Sequence, residues 1–224
     1  MPWKIPLLVL LLLPLIGTGQ IAVIDDADGY VNLRRGEGTH TEILRRADDG
    51  VAVFLVPDYV YPAFTWIRVR LPQHRYAKHG DDYADGETEG YVHHSRLLVL
   101  DSLEICRGDC PELVFRIAAA DTSKVIDRVV FGLEIPLAHS FEVAGLQLKW
   151  RDSTITLTEE LYDDLYNVAF GAGTYRSRDL RTRTFQRGDT YYLSQRCADG
   201  AGTYEIVWVI RDGKIIQRLA GSVI

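Results

Sequence analysis

The chain has 224 residues, 47% hydrophobic and 25% charged, with a formal net charge of -6. That length holds one large domain or two small ones, and the apolar share excludes wholesale disorder. An acidic chain without a basic run argues against nucleic-acid binding, because no cationic surface offsets phosphates.

The first predicted element is an export signal over residues 1–19. Lys4 precedes an apolar run from Ile5 to Ile16, and Gly17-Thr18-Gly19 supplies small residues before the expected cut. The run is shorter than the roughly 20 residues of a bilayer span. A periplasmic or secreted protein with no membrane span after cleavage is therefore expected, and no cysteine near the cut suggests a lipid anchor.

From Ile21 to about Leu100, short strand-like runs alternate with acidic-Gly turns. Ile21–Ile24, Tyr30–Arg34, Ile43–Arg46, Val51–Val56, Trp66–Leu71 and Gly90–His93 are the candidates. In Trp66–Leu71 the period is two, with Trp66, Arg68 and Arg70 on one face and Ile67, Val69 and Leu71 on the other. This spacing predicts a small β-barrel over residues 21–100. Residues 101–110 read as a polar linker. Residues 111–224 read as an α+β domain with mostly antiparallel sheet. Its strands fall at Leu113–Ile117, Val125–Ile135, Leu146–Trp150, Thr154–Leu157, Tyr191–Arg196 and Tyr204–Ile210. A hairpin is expected at Asp212-Gly213. One helix is predicted from Thr158, with Leu161, Leu165 and Val168 on a common face.

The segment Asp28-Gly29-Tyr30-Val31-Asn32-Leu33-Arg34-Arg35-Gly36-Glu37-Gly38-Thr39, the Trp66-Ile67-Arg68-Val69 strand and Gly90-Tyr91-Val92-His93-His94-Ser95-Arg96-Leu97 together resemble a bacterial SH3-like domain. The resemblance covers about a third of the chain, and residues 111–224 show none. It implies a binding module on a secreted or envelope protein, with peptidoglycan or another extended peptide as ligand. In residue terms, Asn32 suits side-chain bonds to the turn, and Gly36 and Gly38 suit positive φ. Gly90 suits a close backbone approach. The insert 72–89 departs from the family's tight hairpin.

The candidate ligand-binding residues are Tyr30, Asn32, Arg34, Trp66, Tyr91 and His93. Aromatic rings offer flat contact area and the polar neighbours orient an extended ligand. The bland alternative is that the rings pack the barrel core. Other chemistries are less well supported. His74, His79, His93 and His94 with Asp81, Asp82 and Asp85 are metal-ligand types, but their spacing is loose and a calcium-loop register starting at Asp81 fails. No metal and no cofactor is expected. Cys106 and Cys110 could close a short disulfide loop around Arg107-Gly108-Asp109, a tripeptide known from adhesion. Pairing of either with Cys197 is the rival. A Cys197/His139 dyad is the nucleophile-base candidate in the second half, and it lacks a helix N-terminus to activate the thiol. Asp163 and Asp164 are adjacent carboxylates and read as a solvated face. Arg176, Arg178, Arg181, Arg183 and Arg187 suit either an anionic partner or a solvated edge strand.

The expected function is non-catalytic binding at the cell envelope. The alternatives are an inhibitor or immunity-type protein that binds one secreted protein partner, and a wall hydrolase with an unfamiliar active site.

Overall fold

The computed structural model describes residues 21–56, 64–72, 87–121, 131–132, 140–169, 171–197 and 203–222. The chain is mainly β and its sheets are antiparallel. The predicted export signal, His139, Asp199-Gly200 and nearly all of the His/Asp-rich insert lie outside the described residues.

The first sheet is built from β1 (Ile21–Ile24), β2 (Tyr30–Arg34), β3 (Ile43–Asp48), β4 (Ala52–Leu55), β5 (Trp66–Pro72), β6 (Glu87–His93) and β7 (Leu97–Val99). Their order is β3-β2-β6-β5-β4-β1-β7. Period-two burial drives the arrangement: Ile67, Val69 and Leu71 of β5 are buried, while Trp66, Arg68 and Arg70 are half-buried on the other face. One apolar cluster takes Ala22, Val31, Leu33, Ala47, Val53, Ile67, Val92 and Leu97, so every strand contributes to it. The sheet curls around this cluster but does not close. Strands β3 and β7 are its edges and do not pair with each other, which corrects the expectation of a closed barrel.

Glycine sets the turns. Gly29 and Gly50, each after an aspartate, have φ of 79° and 78°. Gly38 also has positive φ, whereas Gly36 does not. At Gly90 the reason is space. A Cβ there would lie 2.5 Å from the Arg34 carbonyl oxygen and 2.9 Å from Leu33 Cγ, so β2 crosses β6 only because that side chain is missing.

The rest of the chain forms two further sheets. One has four strands in the order β11-β10-β9-β12, from β9 (Glu112–Ala119), β10 (Phe141–Trp150), β11 (Ser153–Thr156) and β12 (Gly173–Arg176). The other has five in the order β16-β15-β14-β13-β8, from β8 (Glu104–Ile105), β13 (Thr182–Arg187), β14 (Thr190–Cys197), β15 (Tyr204–Arg211) and β16 (Lys214–Ser222). Asp212 and Gly213, both with positive φ, make the expected β15–β16 hairpin turn.

The five-stranded sheet is the middle layer of three. Tyr204, Ile206, Trp208 and Ile210 of β15 face the four-stranded sheet and meet Leu113, Phe115, Leu146 and Leu148. Val207 and Val209 face the first sheet and meet Ile21, Val23, Ala52 and Phe54. Strands β1, β4 and β15 are therefore apolar on both faces, which is why they read as continuous hydrophobic runs.

Polar groups register the layers. Gln217 donates to the Ala52 carbonyl and accepts from the Ala52 amide, each at 2.8 Å. Tyr192 donates to the Gly50 carbonyl at 3.0 Å, and burial pushes its phenol up to about 12. Arg187 at the end of β13 enters between the two acidic-Gly turns. It pairs with both carboxylate oxygens of Asp49 at 2.9 and 3.0 Å and also with Asp25.

Three further expectations are modified by the structure. The helix from Thr158 does not form: Glu159–Leu161 is a single 3₁₀ turn without a side-chain cap bond, and no helix among the described residues reaches seven residues. Leu161, Leu165 and Val168 are all buried, so the apolar spacing was real but serves an irregular chain. Leu165 bridges to Phe131 and Tyr166 to Glu142, and Asn167 at φ 51° breaks any helical path. Second, residues 101–110 include β8, which pairs with β13. Third, the arginine-rich stretch is two strands around a 3₁₀ turn: Arg176 lies on β12, an edge strand as expected, whereas β13 lies between β14 and the two-residue β8. Of the predicted strand Val125–Ile135, only Phe131 and Gly132 are among the described residues.

Candidate functional site

On the face of the first sheet away from its core, a groove of about 390 Å³ is lined by Tyr30, Asn32, Arg34, Trp66 and His93 among others. Five of the six candidate ligand-binding residues thus converge on one concavity. Tyr91 does not line it. That residue sits half-buried on β6, in register with Arg34 and Arg68.

The groove follows from strand geometry. Val31 and Leu33 are buried, which turns Tyr30, Asn32 and Arg34 outward along β2. In the same way the β5–β6 ladder sets Trp66 directly opposite His93. Strand β2 pairs with β6 only at Arg34 and Tyr91. A continued ladder would next join Asn32 to His93. It does not, and the groove occupies the gap where these strands part.

The walls are aromatic. Trp66 and His93 meet edge to face with centroids 5.4 Å apart, and the Arg46 guanidinium lies 3.6 Å over the Tyr30 ring. The rim is polar and largely fixed. Arg34 donates to the Thr41 carbonyl at 2.7 Å, while the Thr41 hydroxyl donates to the carbonyls of Gly36 or Gly38 at 2.8 and 2.9 Å. Arg34 and Thr41, rather than Asn32, hold the turn, so the Asn32 amide remains on the groove wall. Arg96 pairs with the buried Asp26 at 2.8 Å, cancelling one charge at the floor.

His93 Nδ1 accepts from the Ser95 amide at 3.3 Å. A backbone N–H only donates, so the neutral ring carries its proton on Nε2. Burial, then the charges of His94 and Arg96, lowers the imidazole pKa below its ordinary 6.5. The groove therefore presents a neutral donor at physiological pH. Following the His93 ring carbon shift by NMR should show a midpoint below 6.5. The sign is that of a depressed base: the stabilisation from the neutral ring is complete above 6.5 and lost as pH falls through the folded-state value. A midpoint above 6.5 would contradict the arrangement.

The other candidate chemistries fare as follows. Cys106 and Cys110 form the short disulfide, with Cα atoms 6.0 Å apart, and Arg107-Gly108-Asp109 is exposed within it. Cys197 is free and buried. Burial pushes its thiol up to about 12, the opposite of what a nucleophile needs. Asp163 and Asp164 diverge: Asp164 is buried against Arg218, with bonds at 2.5 and 2.6 Å. Among the described residues no group of three or more His, Cys, Asp or Glu is placed to hold a metal ion. A second hollow of about 450 Å³ lies beside the disulfide loop, lined by Glu112, Lys149, Arg151 and Arg178. It has no aromatic wall, and its Arg178 already answers Glu112 at 3.1 Å. The first groove therefore has the stronger chemistry.

No family model, curated protein or solved structure matches the chain.

Proposed function

We propose that the protein is a non-catalytic binding protein of the bacterial cell envelope, and that an SH3-like module in its first sheet carries the binding. The ligand is an extended, peptide-bearing polymer, with peptidoglycan the first choice. One observation supports this reading above the others: Tyr30, Asn32, Arg34, Trp66 and His93 line a single groove at the point where β2 and β6 part. Flat rings at Tyr30 and Trp66 suit sugar or peptide faces, and the donors of Asn32, Arg34 and His93 suit carboxylate and carbonyl oxygens. The disulfide at Cys106 and Cys110 is at home in an oxidising compartment.

Co-sedimentation with insoluble peptidoglycan tests it. The protein should pellet, and Trp66→Ala should weaken retention about tenfold, the loss of one well-placed aromatic contact. Failure to pellet, with capture of one secreted protein instead, would favour an inhibitor. Release of soluble wall fragments would point to a hydrolase.

A further inference from the structure

The four-stranded sheet ends on β11, and all four of its residues are exposed. Ile155 is 42% exposed although its cross-strand neighbour Leu148 is 0% exposed. The apolar face of the sheet thus runs out to an uncovered edge. Sheet edges are ordinarily guarded by charge, proline or brevity. Edge strand β3 carries Arg45, Arg46 and Asp48, and edge strand β8 has only two residues. The run Ser153-Thr154-Ile155-Thr156 carries no charge and no proline, and it is longer than β8.

The hydrogen-bond parity of this edge is fixed by its hairpin. Trp150 and Ser153 flank the two-residue turn and form a bonded pair, so Ile155 also bonds inward to β10. The Leu157 amide continues the alternation, donating to the Leu146 carbonyl at 2.9 Å. The amides and carbonyls of Thr154 and Thr156 therefore point outward, toward the open edge.

We propose that this edge pairs with the same edge of a second copy of the chain, antiparallel about a two-fold axis through Ile155. In that register Thr154 of each copy lies opposite Thr156 of the other. Both pairs exchange amide and carbonyl, giving four hydrogen bonds across the axis. Ile155 meets its counterpart as a non-bonded pair, with Cβ atoms about 4.5–5.5 Å apart, and the two apolar faces become continuous. Beyond the strand ends, Arg151 of the hairpin turn and Glu159 of the 3₁₀ turn fall at matching positions, and Asp152 faces Thr158, so opposite charges approach and no like charges are directly opposed. A one-residue slip sets inward groups against outward ones. Centring on Thr154 instead brings Asp152 opposite Thr156 and loses the Arg–Glu match. The edge is short, so the dimer is weak and concentration-dependent.

Symmetric cross-linking tests the register. Under mild oxidation Ile155→Cys should form a disulfide-linked dimer about tenfold faster than Thr154→Cys, because only the residue on the axis meets itself within disulfide reach. Sedimentation of the unmodified protein should show dimers growing with concentration. Thr156→Pro removes an outward amide without touching the β10 ladder, and should sediment as monomer with its thermal transition unchanged. Equal cross-linking at both positions, a monomer up to millimolar concentration, or a Thr156→Pro protein that still dimerises would overturn the proposal.

Discussion

Replacing Arg218 by Met is expected to lower the unfolding free energy by about 3–5 kcal/mol, the cost of leaving a buried charge without its partner. Arg218 is 0% exposed on β16 and reaches under the sheet to Asp164, itself 5% exposed. Its two terminal nitrogens take both carboxylate oxygens, and one also donates to the Leu161 carbonyl at 3.1 Å. These bonds pin the irregular segment around residues 161–169 against the core. Without the guanidinium, the Asp164 carboxyl is left in an apolar surrounding without its two-point partner. The double replacement Arg218→Met with Asp164→Leu removes both charges and should recover most of the loss. Urea unfolding of the single and double variants measures this. A single variant within about 1 kcal/mol of the parent, or a double variant no better than the single, would contradict the role given to the pair.

The second large effect is expected at the junction between the first and middle sheets. Arg187→Ala should cost about 2 kcal/mol, the range for hydrogen bonds to a charged group, and should weaken the coupling of the two layers. The bonds to Asp49 and Asp25 raise the Arg187 pKa further, so its charge persists at every accessible pH. Burial pushes the Asp49 carboxyl up, but bonds from Arg187 and from the Asp26 amide outweigh it and hold the carboxyl below its ordinary 3.8. The stabilisation from a depressed acid is complete above its unfolded value and lost as pH falls through its folded one. The stability gap between parent and variant should hence be flat at neutral pH and shrink below about pH 3.8. Calorimetry should show a broadened or split transition for Arg187→Ala at neutral pH. One sharp transition at the parent's temperature would contradict the clamp.

Period-two patterns were the legible part of this fold. Trp66–Leu71 exposed its two faces in the sequence itself, and the Asp-Gly pairs marked the turns at Gly29, Gly50 and Gly213. The groove residues were also readable, since Tyr30, Asn32 and Arg34 alternate with Val31 and Leu33. Tyr91 lies outside the groove lining because alternation gives the face but not which outward residues flank a gap. The irregular segment after Thr158 was not legible. Leu161, Leu165 and Val168 have helical spacing, but Asp164, read as solvated, is committed to Arg218, which lies 54 residues away. Arg187 was likewise one of five arginines with nothing local to single it out. Its partners Asp25 and Asp49 lie 162 and 138 residues away, beyond any local signal.

On the proposed reading, the gap between β2 and β6 holds the ligand. Backbone and indole NMR shifts recorded while a soluble peptidoglycan fragment is added test it most directly. Saturable changes are expected at Tyr30, Asn32, Arg34, Trp66 and His93, with the middle and four-stranded sheets silent. Changes confined to another face, or none at saturating fragment, would contradict it.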